Sequence, residues 1–444
     1  MAHISRRNIL KTGAVLAGGI SITSNFLSGG GKALAAEIPA AAFWDEYFRG
    51  AMKILTGLRD TQVEVIEREM QTAYARLKKG GTLYSQITAG HFPIDETALD
   101  RTGQPGVFAF LKRDAKDEDY AKLTTNDIII TNVINLGNIA AMKRGIRVVG
   151  VTVNYYPFAK TPPGEGYQIE YGGKILRIED ASSAMIDSQA PWDNGLVHPS
   201  QNPDFPVMPG GGIAQAAVYW MAAAELAGLK AGNGTESSPG GARSYIETCI
   251  DRAQMAGQDR LKFIEAGRVL GDLVVKGAKW WVAGHKALVA DASSVATGPM
   301  VTRPYNAGRV AKGDIVLIGS YSSNNMEEIK LASDCRAKGA YIAAIAPYSL
   351  ESDAAGPRLY KEVDLAFNTY SPDGWGVVPV KGLDRKVCPT TGVIADMALW
   401  LLMSQWADVM AGMGKFPYFW KGIFMKNGTE YNKKIQPLFA ARGW

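Results

Sequence analysis

Residues 313–346 read GDIVLIGSYSSNNMEEIKLASDCRAKGAYIAAIA, and the order of apolar and polar residues in this stretch decides the fold. The apolar run Ile315 to Ile318 ends at Gly319 and a cluster of small polar residues. An amphipathic segment then leads to a second apolar run, Tyr341 to Ala346. Short apolar runs bounded by turn residues suit strands buried on both faces, and a helix between two of them requires parallel pairing with a right-handed crossover. The loop Ser320-Tyr321-Ser322-Ser323-Asn324-Asn325 is thereby placed between the carboxyl end of a parallel strand and the amino end of a helix, where open α/β sheets bind ligands. Free helix N–H groups, the hydroxyls of Ser320, Ser322 and Ser323, and the amides of Asn324 and Asn325 together suit a phosphate or the hydroxyls of a sugar. Asn324 with Glu327 also has capping-box spacing, so helix capping is the competing reading.

Working outward, the chain repeats this pattern. Thr88-Ala89-Gly90-His91 matches Val282-Ala283-Gly284-His285, NDIIIT from Asn126 matches GDIVLI from Gly313, and KRGIRVVGVT from Lys143 matches AKGAYIAAIA from Ala337. IDSQAPWDNGLV from Ile186 parallels FNTYSPDGWGVV from Phe367, and Pro209, Gly212 and Trp220 recur as Pro389, Gly392 and Trp400. Five matched blocks in one order read as a tandem duplication. Each unit starts with a helix: Val63, Ile66, Met70, Tyr74 and Leu77 set the helical period in the first, and a longer approach from Tyr245 to Val275, bent near Gly257, does so in the second. The expected fold is α/β: two doubly wound parallel-sheet domains of flavodoxin-type three-layer form, packed as an internal pseudo-dimer. The domains span 37–228 and 243–415, joined by a Gly/Ser-rich linker over 229–242 and followed by a C-terminal extension over 416–444.

Residues 1–36 read as a twin-arginine export signal: SRRNILK from Ser5, a weakly apolar stretch from Thr12 to Leu27, and ALAAE from Ala33 as cleavage site. The expected partner is the twin-arginine export machinery, and the expected location is the periplasm or another compartment outside the cytoplasm. Four basic residues, Arg6, Arg7, Lys11 and Lys32, and no acidic one lie in the signal, so most of the net charge of +5 leaves with it. A nucleic-acid surface is therefore not indicated, and no stable membrane anchor is expected because no later run reaches about 18 apolar residues. Cys249, Cys335 and Cys388 have no metal-ligand spacing and admit at most one disulfide, with buried free thiols the alternative. Nothing in the sequence points to a metal or an organic cofactor, and a homo-oligomer is neither required nor excluded.

The order of helix, strand, Ala-Gly-His, strand with a Ser-rich loop, helix, Lys-Gly and strand resembles the SIS (sugar isomerase) phosphosugar-binding domain, present twice over roughly 45–225 and 243–412. The nearest form of that family carries G-H-S and S-x-S-G-x-N. Here Gly90-His91-Phe92 and Gly284-His285-Lys286 stand against the first motif, and Ser320 to Asn325 against the second, with Ser323 where the family has glycine. The first-half counterpart, Thr131-Asn132-Val133-Ile134-Asn135-Leu136-Gly137-Asn138, lacks the serines, so one standard phosphate cradle is expected rather than two.

The resemblance implies a sugar or sugar-phosphate ligand between the halves, with residues near the Gly-His turn facing it. His91 is then expected opposite the 320–325 loop, where imidazole opens a sugar ring by moving a proton between O5 and O1. An aldose–ketose isomerase also needs a carboxylate that moves a proton between C1 and C2. Glu327 is the first choice, with Glu328 and Glu96 beside it, although solvated carboxylates near a helix start read the same way. The candidate catalytic residues are thus His91, His285 and Glu327. The candidate ligand-binding residues are Gly90, Gly284, Ser320, Ser322, Ser323, Asn324, Asn325, Thr131 and Asn132. Trp192, Trp280, Trp281 and Trp375 with Tyr155, Tyr156, Tyr321 and Tyr348 lie near predicted strand ends, where a sugar face can stack. Two other classes fit the same residues: a non-catalytic binding or scaffolding protein, and a lyase or etherase acting on cell-wall amino sugars.

Overall fold

Two consecutive helices, α1 (Ala42–Thr61) and α2 (Val63–Leu77), open the first half of the computed structural model. It describes residues 41–112, 114–154, 168–232, 240–348, 356–372, 375–423 and 425–444. Residues 1–36, expected to be an export signal, part of the expected linker, and Tyr155 and Tyr156 lie outside the described residues. There follow β1 (Leu83–Gln86), α3 (His91–Glu96), β2 (Ala109–Phe110), α4 (Asp117–Ala121), β3 (Ile128–Thr131), α5 (Leu136–Lys143) and β4 (Arg147–Asn154). A hairpin of β5 (Gln168–Tyr171) and β6 (Lys174–Arg177) precedes β7 (Ala184–Pro191), then β8 (Gly195–Val197), β9 (Val207–Pro209) and α6 (Gly211–Lys230). The second half has α7 (Gly241–Gly257), α8 (Arg260–Val275), β10 (Trp280–Gly284), α9 (Lys286–Ser294), β11 (Thr302–Pro304), β12 (Ile315–Gly319), α10 (Met326–Ala337), β13 (Tyr341–Ala346), β14 (Leu365–Asn368) and α11 (Thr391–Gly412). Last comes α12 (Gly428–Arg442).

The strands form two five-stranded parallel sheets, ordered β2-β1-β3-β4-β7 and β11-β10-β12-β13-β14. Both are the flavodoxin-type order, so the expected α/β class and doubly wound form are what the chain adopts. The alternation of side chains along the central strands explains why each run is apolar throughout. Ile128 and Ile130 of β3, like Ile315 and Leu317 of β12, face one continuous core that both halves share. Ile129 faces Tyr120 and Ala141 under α4 and α5, and Val316 and Ile318 face Ala332 and Cys335 of α10. Each strand starts on an aspartate. Asp127 accepts from Thr82 N–H at 2.7 Å, and Asp314 accepts from Lys279 N–H at 3.0 Å and Trp281 Nε1–H at 2.9 Å.

The shared core is built on two helices that are buried all round, α6 and α11. α11, with 22 residues, is by length and mean composition apolar enough to cross a membrane, although Asp396, Ser404, Gln405 and Asp408 interrupt its apolar residues, and it lies buried among the other helices. α2 packs on α6 and α8 on α11 within each half, whereas α1 packs on α11 and α7 on α6 across the halves. This exchange welds the halves together. Asp45 of α1 pairs with Arg260 at the start of α8 through two 2.8 Å bonds, and the Trp44 and Phe263 rings lie 6.0 Å apart. α1 was not expected from the sequence, although Phe43, Tyr47, Ile54 and Leu58 carry its period.

Matched positions take matched conformations. Tyr47 and Tyr245 each donate a hydroxyl at 3.1 Å to the carbonyl of Pro209 and Pro389 respectively. Gln189 and Tyr370, and Met208 and Cys388, all have positive φ, a conformation that side-chain-bearing residues adopt only when packing compels it. All three cysteines are free and buried. The linker is shorter than its composition suggests, because α6 runs to Lys230 and α7 starts at Gly241.

Candidate functional site

The Gly-His turns follow the first strand of each sheet. At Gly284, φ is +89° and a Cβ would overlap the carbonyl of Gly319, so only glycine lets β10 and β12 end side by side here. His285 N–H donates to that carbonyl at 2.8 Å, and its Nδ1 accepts from Ala287 N–H at 3.2 Å, which makes His285 the N-cap of α9. Burial, helped by Arg101 and Lys286, drives its pKa down to about 2, so the ring is neutral and its Nδ1 is committed. The geometry gives His285 a capping role in place of the proton-transfer role assigned from sequence.

The 320–325 loop lies beside His285, and Tyr321 fills the space in front of it. The Tyr321 ring centroid is 3.4 Å from that of His285 and 3.4 Å from the Arg101 guanidinium, while its hydroxyl donates to Glu96. Ser320 Oγ donates to Ser322 O at 2.7 Å, Ser322 Oγ bonds Asn324, and Ser320 and Ser323 are buried. Asn325 is the N-cap of α10, its side chain accepting from Glu327 N–H at 3.1 Å, so the capping residue is Asn325 and not Asn324. Glu327 is exposed. The carboxylate that turns back on the loop is Glu328, which lies against Ser320 and is raised to about 7 by burial.

Glu96, five residues after His91, is fully buried rather than solvated. It accepts from Arg101 Nε–H at 3.3 Å, Trp220 Nε1–H at 3.1 Å and the Tyr321 hydroxyl, and it sits so close to Gly392 that a Cβ there would overlap its carboxylate. Its counterpart Asp291 on α9 accepts from Trp400 Nε1–H at 3.1 Å and from Phe92 N–H at the start of α3. Asp291 also shares a hydrogen bond with Asp396, which accepts from Trp400 at 2.9 Å. Burial raises Asp291 to about 7 and Asp396 well above its ordinary value, so the pair holds a proton in common. The recurrence of Trp220 as Trp400 was the available signal for these two tryptophan–carboxylate ties.

His91 does not face the 320–325 loop. It opens instead on a cavity of 760 Å³ at the carboxyl edge of the first sheet, lined also by Trp192, Asn194, Gln215, Asp291 and Trp420. Ser294 of α9 lies with its Oγ 3.4 Å from His91 Nδ1. Enclosure by the cavity walls lowers the His91 pKa, so the ring is neutral at pH 7 and able to accept or pass on a proton. Gly90, at φ +87°, sets the turn. Thr131 and Asn132 are occupied within the fold. Thr131 Oγ1 bonds Gln86 Oε1 at 3.1 Å, and Asn132 accepts from Thr88 and Ala89 N–H at 2.8 and 2.9 Å and donates to Gln215. The open site is thus in the first half and the filled one in the second, the reverse of what the serine pattern implied. Of the aromatics, Trp192 lines the cavity, Trp280 and Trp281 are core, and Trp420, unremarked in the sequence, closes the far wall.

No family model matches the chain. It is 27% identical over 134 residues to the UPF0309 protein lmo0025 of Listeria monocytogenes and 23% identical over 131 residues to the UPF0309 protein ABC0887 of Shouchella clausii. These alignments take in 29% and 28% of this chain and span 57% and 53% of those relatives' lengths. Among solved structures it is similar to a protein of Clostridium difficile 630 whose phosphosugar isomerase activity is inferred, with 9% identity and a TM-score of 0.48 over 88% of this chain and 97% of that one. It is also similar to the C-terminal domain of glucosamine-fructose-6-phosphate aminotransferase from Francisella tularensis, with 7% identity and a TM-score of 0.46 over 86% and 97%.

Proposed function

We propose that this chain is an exported protein with two SIS-like halves that binds a sugar or sugar phosphate in the cavity beside His91 and isomerises it between aldose and ketose forms. The observation that carries the reading is the cavity itself. It lies at the carboxyl ends of parallel strands, takes residues from both halves, and combines two indole rings with side-chain amides, a neutral imidazole and the carboxyls of Asp193 and Asp291. Indole faces suit the C–H face of a pyranose, and amides suit its hydroxyls. His91 would carry the proton between ring and anomeric oxygens. Asp291, which among the described residues is the carboxyl lining the cavity from the other half, takes the place that Glu327 held in the sequence reading.

His91→Ala is expected to lower turnover of a bound aldose by about 10²–10⁴-fold while changing its Kd by less than tenfold. His285→Ala, as a lost cap, should lower stability by about 1 kcal/mol and leave turnover near the parent's. Loss of affinity alone in the His91 variant, with no turnover in the parent, would establish the non-catalytic binder. That second reading is favoured by the filled 320–325 loop.

Export rests on SRRNILK and the cleavage site at Ala35 or Ala36. Arg6→Lys with Arg7→Lys should leave the full-length precursor in the cytoplasm, whereas the unaltered chain is recovered outside it as a product starting near Glu37. Equal distribution of the two forms on cell fractionation would remove the export proposal.

A further inference from the structure

The C-terminal extension returns to wall the cavity. Main-chain bonds dock it on the 297–300 segment: Thr297 N–H to Trp420 O at 2.7 Å, Trp420 N–H to Gly298 O at 2.9 Å and Met300 N–H to Tyr418 O at 2.9 Å. Asn432 then clamps Lys421 from α12, accepting from its N–H at 2.9 Å and donating to its carbonyl at 2.8 Å. Lys421 and Lys433, the latter next to the clamping Asn432 in sequence, both line the cavity. Lys421 Nζ lies 5.5 and 5.8 Å from the Phe205 and Tyr431 rings, which hold it in place without neutralising it. Among the described residues neither lysine has a carboxylate within ion-pair distance.

The other charged or titratable groups on the cavity are His91, Asp193 and Asp291. Burial raises both carboxyls and lowers the imidazole. The amino end of α6 at Gly211 and Gly212 opens on the same space and adds positive potential, although Gly211 N–H is itself bonded to Asn194. Both cationic side chains of the cavity therefore sit on the extension, and neither is paired with a carboxylate among the described residues.

Resting on the sugar-binding reading above, we propose that Lys421 and Lys433 are specificity-determining residues that hold an anionic substituent of the sugar, a phosphate ester or a carboxylate, in place of the 320–325 loop. The ligand then lies with its anion against the extension and its reacting carbons toward His91.

The test uses the mature chain, residues 37–444, and isothermal calorimetry at two salt concentrations with three probes: glucose, glucose 6-phosphate and glucuronic acid. At least one anionic probe should bind tenfold or more tighter than glucose, with affinity falling as salt rises. Lys421→Met with Lys433→Met keeps the aliphatic stems and should abolish that preference and its salt dependence while leaving glucose binding within threefold. Ser320→Ala should leave the preference intact. Tighter phosphate binding identifies a sugar phosphate, and tighter glucuronate binding a sugar acid. Equal binding of glucose and both anions, or a preference that survives the double lysine substitution, overturns this assignment and leaves the sugar reading standing. No binding by any probe overturns both.

Discussion

Glu96→Ala is expected to destabilise the protein by about 3–5 kcal/mol, read as a melting temperature roughly 5–10 °C lower than the parent's. The carboxylate is fully buried and the Arg101 side chain is 2% exposed, so removing the acid leaves a guanidinium charge inside with its opposite removed. It also orphans the Trp220 indole N–H and the Tyr321 hydroxyl, each of which is buried at the junction of the halves. The size of the effect comes from these abandoned partners more than from the worth of the ion pair, because two buried charges offset much of their attraction by desolvation. Glu96→Ala combined with Arg101→Met should therefore recover a large part of the loss, and Glu96→Gln, which keeps an acceptor, should fall between. A single alanine variant within 1 kcal/mol of the parent would show that Glu96 is not the tie described.

Much of the fold was legible because parallel strands buried on both faces must be apolar throughout. Ile128 to Ile130 and Ile315 to Ile318 could be read directly, and the blocks matched between the two halves occupy the same places in two sheets of one strand order. Helix α1 was less legible even though Phe43, Tyr47, Ile54 and Leu58 carry its period, because Gln62 alone separates it from α2 and no glycine or proline marks the break. The site was less legible for a reason of kind. Sequence names the donors on a loop but not the direction of its side chains, and a single choice of direction at Tyr321 turns the serine-rich loop from an open cradle into a filled one. Burial has the same character. Glu96 and Glu327 are both carboxylates on the helix that follows a strand, yet Glu96 ends α3 enclosed by Arg101, Trp220 and Tyr321 and Glu327 starts α10 in solvent. The return of residues 416–444 over His91 depends on main-chain pairing with the 297–300 segment, which leaves no local pattern to read.

Asp396→Asn is expected to remove much of a pH dependence of stability whose sign follows from the shared proton. In the unfolded chain both aspartates titrate near their ordinary value of 3.8, whereas in the folded protein burial raises Asp291 to about 7 and Asp396 well above its ordinary value. Between about pH 4 and 7 the folded state thus binds more protons than the unfolded state, and stability contributed by the pair is full below pH 4 and declines as pH rises through 7. Each group displaced across a pH unit costs about 1.4 kcal/mol, so the pair contributes a slope on the order of 1–3 kcal/mol per unit over that window. Glu328 and Asp193 are raised as well and add to the decline, while His91 and His285, whose values are lowered, oppose it as pH rises toward 6.5. The comparison of variant with parent isolates the pair from these other groups. Asparagine keeps the shape of Asp396 and a donor for Asp291 but takes up no proton, so urea midpoints measured from pH 5 to 8 should fall less steeply in the variant. The variant should gain on the parent by about 1–3 kcal/mol at pH 8 relative to pH 5. Parallel curves for the two proteins would mean that Asp291 and Asp396 ionise independently of folding, and His91 would then share its cavity with an ordinary charged carboxylate rather than with a proton-holding pair.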